Sequence, residues 1–135
     1  MSPSAKLVPT WVRVLAGLLA LFNLAYGLSG YFAPAGIFPG VDPSTPALLN
    51  AVHMFTARNL AIGIALVIVS LVGVPETISI LMIIRFLVEA QDLILNIISG
   101  AGIGGIAIPI VVMVIEAVII LTMFRIVGER DKASH

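Results

Sequence analysis

The chain contains no cysteine and very little charge, and each absence excludes a group of functions. Without cysteine there are no disulfides, iron–sulfur clusters or catalytic thiolates. Charged residues make up 10% of the sequence, against about 25% in soluble globular proteins. The net charge is zero, which argues against nucleic acid as a partner. Two histidines are too few for a zinc or di-iron centre, so the sequence predicts no metal and no cofactor.

What the chain does contain is long apolar runs. Hydrophobic residues make up 60% of it, and the mean hydropathy is +1.17. This composition is typical of an integral membrane protein, and the length allows about four spans of ~20 residues. We therefore predict one domain over 1–135, an all-α integral membrane four-helix antiparallel bundle. The predicted spans are residues 11–32, 46–73, 75–99 and 105–127.

Prolines and glycines set these boundaries. Pro34 ends the first span, and Pro46 stands at the first helical position of the second. Gly100 is a C-terminal stop for the third span. Pro109 lies close enough to the start of the fourth span to be tolerated.

The basic residues outside the spans or at the outer ends of the first and last spans predict the orientation. They lie at the two ends of the chain and are absent from the loops after the first and third spans; they are Lys6, Arg13, Arg125, Arg130 and Lys132. By the positive-inside rule, both termini lie in the cytoplasm, in what we expect to be a bacterial inner membrane. The mixed-charge segment 128–132 forms a solvated end.

Five charged residues interrupt the apolar spans, and they are the strongest functional signal. An ionisable group at bilayer depth costs at least about 2.5 to 3.5 kcal/mol, so such groups usually face the bundle interior and mark a site. Catalytic roles are predicted for all five: Arg58, Arg85, Glu89, Asp92 and Glu116. The simplest alternative is a buried ion-pair network that only holds the helices in register.

Amide, phenol and imidazole groups accompany these charges. Arg85, Glu89, Asp92 and Asn96 follow one another at i, i+4, i+7 and i+11, on one face of the third span. The predicted substrate-binding residues are distributed over three spans; they are Asn23, Tyr26, His53, Asn59 and Asn96. The alternative for His53 is that it lies at the membrane interface near the start of its helix and binds no substrate.

Carboxyls in different environments can divide acid and base roles, which suggests proton transfer without a cofactor. We therefore expect a membrane-embedded enzyme that isomerises, cyclises or opens an epoxide in a terpenoid-, sterol- or quinone-like substrate. In this hypothesis Glu89 and Asp92 are the acid–base residues, and Arg58 and Arg85 are electrostatic clamps. The alternatives are an accessory subunit that binds quinone or lipid and a small proton-coupled transporter. Small residues along the first span could also support a homo-oligomer.

The whole chain resembles the DoxX-like group of small four-helix bacterial membrane proteins. The resemblance rests on the segment Tyr31–Pro34, the segment Ala57–Gly63, and the polar third span with Arg85 and Asp92. It implies a four-helix antiparallel bundle. Some relatives are associated with quinone-linked redox complexes, and sterol-isomerase-type proteins have a similar helical design. The resemblance assigns no catalytic residue.

Overall fold

The described part of the chain is helical. The computed structural model describes residues 8–37, Asp42 and residues 44–133, and no strand occurs among them. The helices are α1 (Thr10–Phe32), α2 (Pro34–Ile37), α3 (Pro46–Val72), α4 (Pro75–Ile98) and α5 (Ile103–Ala133). Two parts of the sequence predictions lie outside the described residues: Lys6, one of the basic residues that predict the orientation, and residues 38–41 and 43 of the loop after the first span.

The helix boundaries follow the prolines and glycines closely, with two differences. The short helix α2 begins at Pro34, the residue predicted to end the first span. α5 begins at Ile103 and continues to Ala133, so the mixed-charge segment 128–132 extends the helix. Before α3, hydrogen bonds from the Ser44 hydroxyl and its backbone N–H hold the pKa of Asp42 below its ordinary value.

Residues Arg13–Val72 form one compact unit, in which α1 and α3 pack in antiparallel directions. Leu24 of α1 lies over Gly63 of α3, and Leu60 of α3 lies over Gly27 of α1. A Cβ atom on either glycine would be 2.8 Å from the leucine side chain. The two backbones approach this closely because both positions lack a side chain.

Arg13 joins the other end of the same two helices. Its Nε donates to the carbonyl oxygen of Ser70 at 2.9 Å, and its Nη2 reaches the carbonyl oxygen of Leu71 at 3.4 Å. The last carbonyls of a helix have no partner within that helix, and a cation there also complements the helix dipole. Arg13 of α1 therefore caps the C-terminus of α3.

α4 and α5 belong to the second unit and form an antiparallel pair. Contacts join them near the connecting turn, in the middle and at the far end; in that order they are Asn96 with Gly105, Arg85 with Glu116, and Glu76 with Arg130. Residue numbers fall along α4 as they rise along α5. The two helices therefore lie side by side over the whole length of α4, which has 24 residues.

The turn between α4 and α5 confirms the predicted stop at Gly100. Gly100 has φ +71°, and its N–H donates to the carbonyl oxygen of Ile97. The N–H of Ala101 donates to the carbonyl oxygen of Asn96, which completes a Schellman motif. Glycine stands here because a residue with a Cβ atom rarely adopts this left-handed conformation.

Pro109 removes one backbone hydrogen bond from α5, and a side chain of α4 replaces it. Proline has no N–H, so the carbonyl oxygen of Gly105, four residues earlier, has no helical donor. Asn96 Nδ2 donates to this oxygen at 2.7 Å. The turn and the start of α5 are therefore stabilised by one asparagine side chain.

Among the described residues, three helices are long and apolar enough to cross a membrane: Thr10–Phe32, Pro46–Val72 and Ile103–Lys132. Large apolar side chains are exposed on these helices; among them are Ile103, which is 87% exposed, and Phe32, which is 84% exposed. Soluble monomers rarely expose such extended apolar surface, whereas lipid tails cover it without cost. The chain is an integral membrane protein. α4 is not among the three, since four charged residues lie along it.

Candidate functional site

Arg85 is the centre of a buried charge cluster on α4 and α5. Its side chain is 1% exposed, and its Nε donates to Glu116 Oε1 at 2.5 Å. Its Nη2 donates to Glu89 Oε1 at 2.9 Å, one helical turn along α4. One guanidinium therefore binds two carboxylates, one from each helix. We call Arg85, Glu89 and Glu116 the arginine–carboxylate trio.

The two carboxyls of the trio are in different environments. Glu116 is fully buried, and its Oε2 has no hydrogen-bond partner among the residues that the structure describes. Glu89 is 19% exposed. A small molecule can therefore reach Glu89 more easily, while Arg85 connects it to the buried carboxyl. Carboxyls with such different surroundings are suited to different roles in proton transfer.

Asp92 lies on α4, three residues beyond Glu89, and is half-buried. Its position on the predicted polar face of α4 agrees with the helical spacing. The trio and Asp92 thus place three carboxyls and one arginine within the α4–α5 pair.

Arg58 lies on α3, in the other unit, beside aromatic rings. Its guanidinium carbon is 4.8 Å from the centroid of the Phe55 ring, a cation–π distance. The Tyr26 ring is T-shaped to the Phe55 ring, with 5.8 Å between the ring centroids. It stacks on the Phe22 ring, with 5.9 Å between the centroids. Phe22 and Phe55 are not among the site residues predicted from the sequence. Their spacing from Tyr26 and Arg58, i to i+4 and i to i+3, was the signal that could have found them.

Two of the predicted substrate-binding amides donate to their own helices. Asn23 Nδ2 donates to the carbonyl oxygen of Leu19 at 2.7 Å, and Asn59 Nδ2 donates to the carbonyl oxygen of Phe55 at 2.9 Å. These bonds run four residues back along α1 and α3, as polar side chains inside apolar helices often do. Each amide still has its oxygen and a second N–H through which Asn23 and Asn59 would contact a ligand.

The remaining candidates lie near helix ends. His53 lies beside Tyr31, with 5.2 Å between ring centroids, near the start of α3 and the end of α1. Asn96 binds the Gly105 carbonyl at the α4–α5 turn, which gives it a structural role. Its proposed contact with substrate stays a prediction.

A shallow apolar groove of about 220 Å³ lies on α5. It is lined by Ala107, Ile108, Val111 and Val112. Val112, at one edge of the groove, is one helical turn before Glu116 on α5. The volume is smaller than that of a typical drug-sized ligand pocket, and it suits part of a hydrocarbon chain.

The fold and this site define an all-helical integral membrane protein with a buried arginine–carboxylate trio. Within the described ranges, no group of three or more His, Cys, Asp or Glu residues is placed to hold a metal ion. In comparisons with known proteins, no family model, curated protein or solved structure matches the chain. Its function has to be argued from the site itself.

Proposed function

We propose that the protein is a membrane-embedded enzyme that transfers protons to and from a lipophilic small molecule without a cofactor. The reaction class is isomerisation, cyclisation or epoxide opening of a terpenoid-, sterol- or quinone-like substrate. The observation that carries this proposal is the shared guanidinium of Arg85, which binds one fully buried and one partly exposed carboxylate.

In this proposal Glu89 exchanges a proton with the substrate, because it is the more accessible carboxyl of the trio. Arg85 positions Glu89, since its second hydrogen bond to buried Glu116 fixes the direction of the guanidinium. A general acid or base held in this way contributes roughly 10²–10⁴-fold to a reaction rate. Asp92 and Arg58 remain candidates for further contacts with the substrate.

The proposed substrate is lipophilic because it has to reach a site surrounded by lipid. Apolar side chains cover the outside of α4 and α5, including Ile98, which is 76% exposed. The groove at Ala107–Val112 offers apolar volume next to the turn of α5 that carries Glu116. A hydrocarbon chain in this groove would bring a polar end group toward the trio.

We also propose that α4 crosses the membrane with the three apolar helices, as a four-span bundle. Its 24 residues would extend about 36 Å, enough for the ~30 Å hydrocarbon core. Its antiparallel contacts with α5 at three levels support this. The basic residues at the two ends of the chain favour cytoplasmic termini and a bacterial inner membrane.

Deuterium transfer tests the reaction even though the substrate is not identified. The purified protein in lipid nanodiscs is incubated with a bacterial lipid extract in D₂O, and the extract is then analysed by mass spectrometry. Because a carboxyl exchanges its proton with solvent, an isomerase or cyclase labels a substrate carbon with deuterium, while epoxide opening adds the elements of water. We expect one compound class to change with the wild-type protein and not with Glu89→Gln.

Glu76→Gln is the matched control, since Glu76 is an exposed carboxyl on the same helix and pairs with Arg130. It should leave the labelling unchanged. If the wild-type protein changes no compound, the enzyme proposal fails.

One observation favours the second candidate, an accessory subunit that binds a quinone-like ring. The cluster of Phe22, Tyr26, Phe55 and Arg58 combines flat aromatic surface with a cation, which suits a planar ring that carries oxygen atoms. In this case a compound would co-purify with the protein unchanged, and Phe55→Leu would reduce its amount.

A further inference from the structure

The second oxygen of the Glu116 carboxyl needs an explanation that its ion pair with Arg85 does not give. Glu116 is 0% exposed, and Arg85 binds only its Oε1. Oε2 has no hydrogen-bond partner within the described part of the chain. Buried polar atoms in native proteins are almost always hydrogen-bonded, and a buried ionised oxygen without a donor is especially unfavourable.

The charges around Glu116 are also unbalanced. The groups that face it from α4 are Arg85 and, through the same guanidinium, Glu89; Asp92 follows one turn further along α4. With both carboxyls ionised, the trio has one positive and two negative charges. A net charge at bilayer depth is costly.

We infer that Glu116 is held as a neutral carboxylic acid and that its Oε2–H donates a hydrogen bond to the oxygen of an uncharged lipophilic ligand. One proton makes the trio neutral and converts Oε2 from an unpartnered acceptor into a donor. A neutral site that offers a donor fits a ketone, quinone, epoxide or alcohol. It does not fit a cationic amphiphile, which needs an ionised carboxylate. This inference rests on the proposed function and names its substrate class.

The assignment also gives the acid and the base separate residues. In an isomerisation, Glu116 gives its proton to the substrate oxygen, and Glu89 takes a proton from a substrate carbon. The trio therefore holds one proton before and after the step, and its total charge does not change. Arg85 stays bonded to both carboxyls and faces whichever of them is ionised.

Infrared spectroscopy of the protein in lipid bilayers at neutral pH tests this directly, because a protonated carboxylic acid has its own C=O stretching band. We expect the band in the wild-type protein and in Glu76→Gln, and its loss in Glu116→Gln. Glu116→Gln should also keep the wild-type unfolding midpoint in SDS, since glutamine resembles a neutral carboxyl. If the band is missing from the wild-type protein or persists in Glu116→Gln, the inference is overturned.

Glu116→Asp covers the case in which Glu116→Gln does not fold. It keeps a carboxyl on a shorter side chain, so the band should remain at a shifted frequency, and an unchanged band would overturn the assignment to Glu116. The band does not depend on turnover. If it disappears in Glu116→Gln while no compound is labelled with deuterium, the neutral carboxyl stands and the proposed enzyme fails.

Two added probes test the ligand class. Decyl-benzoquinone should lower the frequency of the Glu116 band, because its carbonyl oxygen accepts a hydrogen bond from Oε2–H. Dodecylamine, a cation with a similar chain, should leave the band in place. A band that the quinone does not shift, or that the amine abolishes, would overturn the assignment to a neutral oxygenated ligand.

Discussion

At the scale of single residues, the sequence predicts one of the two ion pairs of Arg85, and the other depends on the packing of two helices. Its spacing from Glu89 is i to i+4, so the helical period alone predicts that the two side chains meet. Its partner Glu116 is 31 residues away. The sequence marked Glu116 as an unusual charge in an apolar run, but its distance from Arg85 depends on how α4 and α5 pack.

Asn96 is a second residue for which the structure shows a contact that the sequence did not predict. The sequence placed it on the polar face of α4 as a substrate-binding residue, and that role stays a prediction. In the structure its amide supplies the hydrogen bond that Pro109 removes from the Gly105 carbonyl. The missing donor at Pro109 was visible in the sequence, but the residue that replaces it was not.

Asn96→Leu and Pro109→Ala should therefore compensate for each other. Asn96→Leu leaves the Gly105 carbonyl without a donor, and we expect a loss of roughly 1–3 kcal/mol in the free energy of unfolding. In Asn96→Leu/Pro109→Ala, the backbone N–H that Pro109→Ala introduces restores the helical hydrogen bond, so the double variant should regain most of that loss. SDS titration in mixed micelles, followed by circular dichroism, measures all three variants.

If the double variant is no more stable than Asn96→Leu alone, Asn96 and Pro109 do not act on the same carbonyl. The deuterium experiment on the double variant then separates structure from function. Normal labelling would indicate that Asn96 is needed only for the turn.

At the scale of helices, the contact between α1 and α3 depends on one glycine from each helix. Gly27 and Gly63 each face a leucine of the opposite helix. The reciprocal arrangement requires a specific register between two helices that are far apart in sequence. Small-residue spacing can suggest a close contact, but it does not select the partner helix or the register.

Gly63→Ala should weaken this helix pair, while Gly17→Ala should not. The new Cβ at position 63 would lie 2.8 Å from the Leu24 side chain and 3.1 Å from its backbone nitrogen. We expect a destabilisation of about 1–3 kcal/mol from overpacking. A Cβ at position 17 meets no atom within 4 Å, so helix propensity alone should leave the stability equal or raise it by up to about 1 kcal/mol.

The same SDS titration compares the two variants. Because both replace a glycine of a membrane helix by alanine, their difference isolates the contact between α1 and α3. Equal midpoints for Gly63→Ala and Gly17→Ala would contradict the close packing at Leu24.

At the scale of the whole molecule, composition decided the class of protein before any contact was known. The apolar runs predicted membrane helices, and three of them meet the length and hydropathy of a span. The fourth predicted span, α4, carries the charged face, so its composition alone is ambiguous. Whether it crosses the membrane is the main topological question.

Single-cysteine labelling answers this question, because the natural chain contains no cysteine. Cysteines at Val74, Gly102 and Asp131 mark the two ends of α4 and the end of α5. If all four helices cross, a membrane-impermeant maleimide added to intact bacterial cells should label only Gly102→Cys. Val74→Cys and Asp131→Cys should react only after lysis.

The cysteine-free wild type gives the background for this labelling. Reaction of Val74→Cys and Gly102→Cys from the same side would mean that α4 does not cross the bilayer. Labelling of Asp131→Cys in intact cells, with Gly102→Cys protected, would reverse the orientation that the basic residues predict.

The sequence by itself determined the membrane class, the helix boundaries within a few residues and the five charged positions within the apolar runs. These are local or compositional properties, since a proline, a glycine or an apolar run acts on its own segment. Only the tertiary structure decided that Arg85 of α4 binds Glu116 of α5, that Asn96 binds the Gly105 carbonyl, and that Leu24 and Leu60 lie over glycines of the opposite helix. Each of these contacts joins residues on different helices, and its geometry depends on helix register, which no single segment contains.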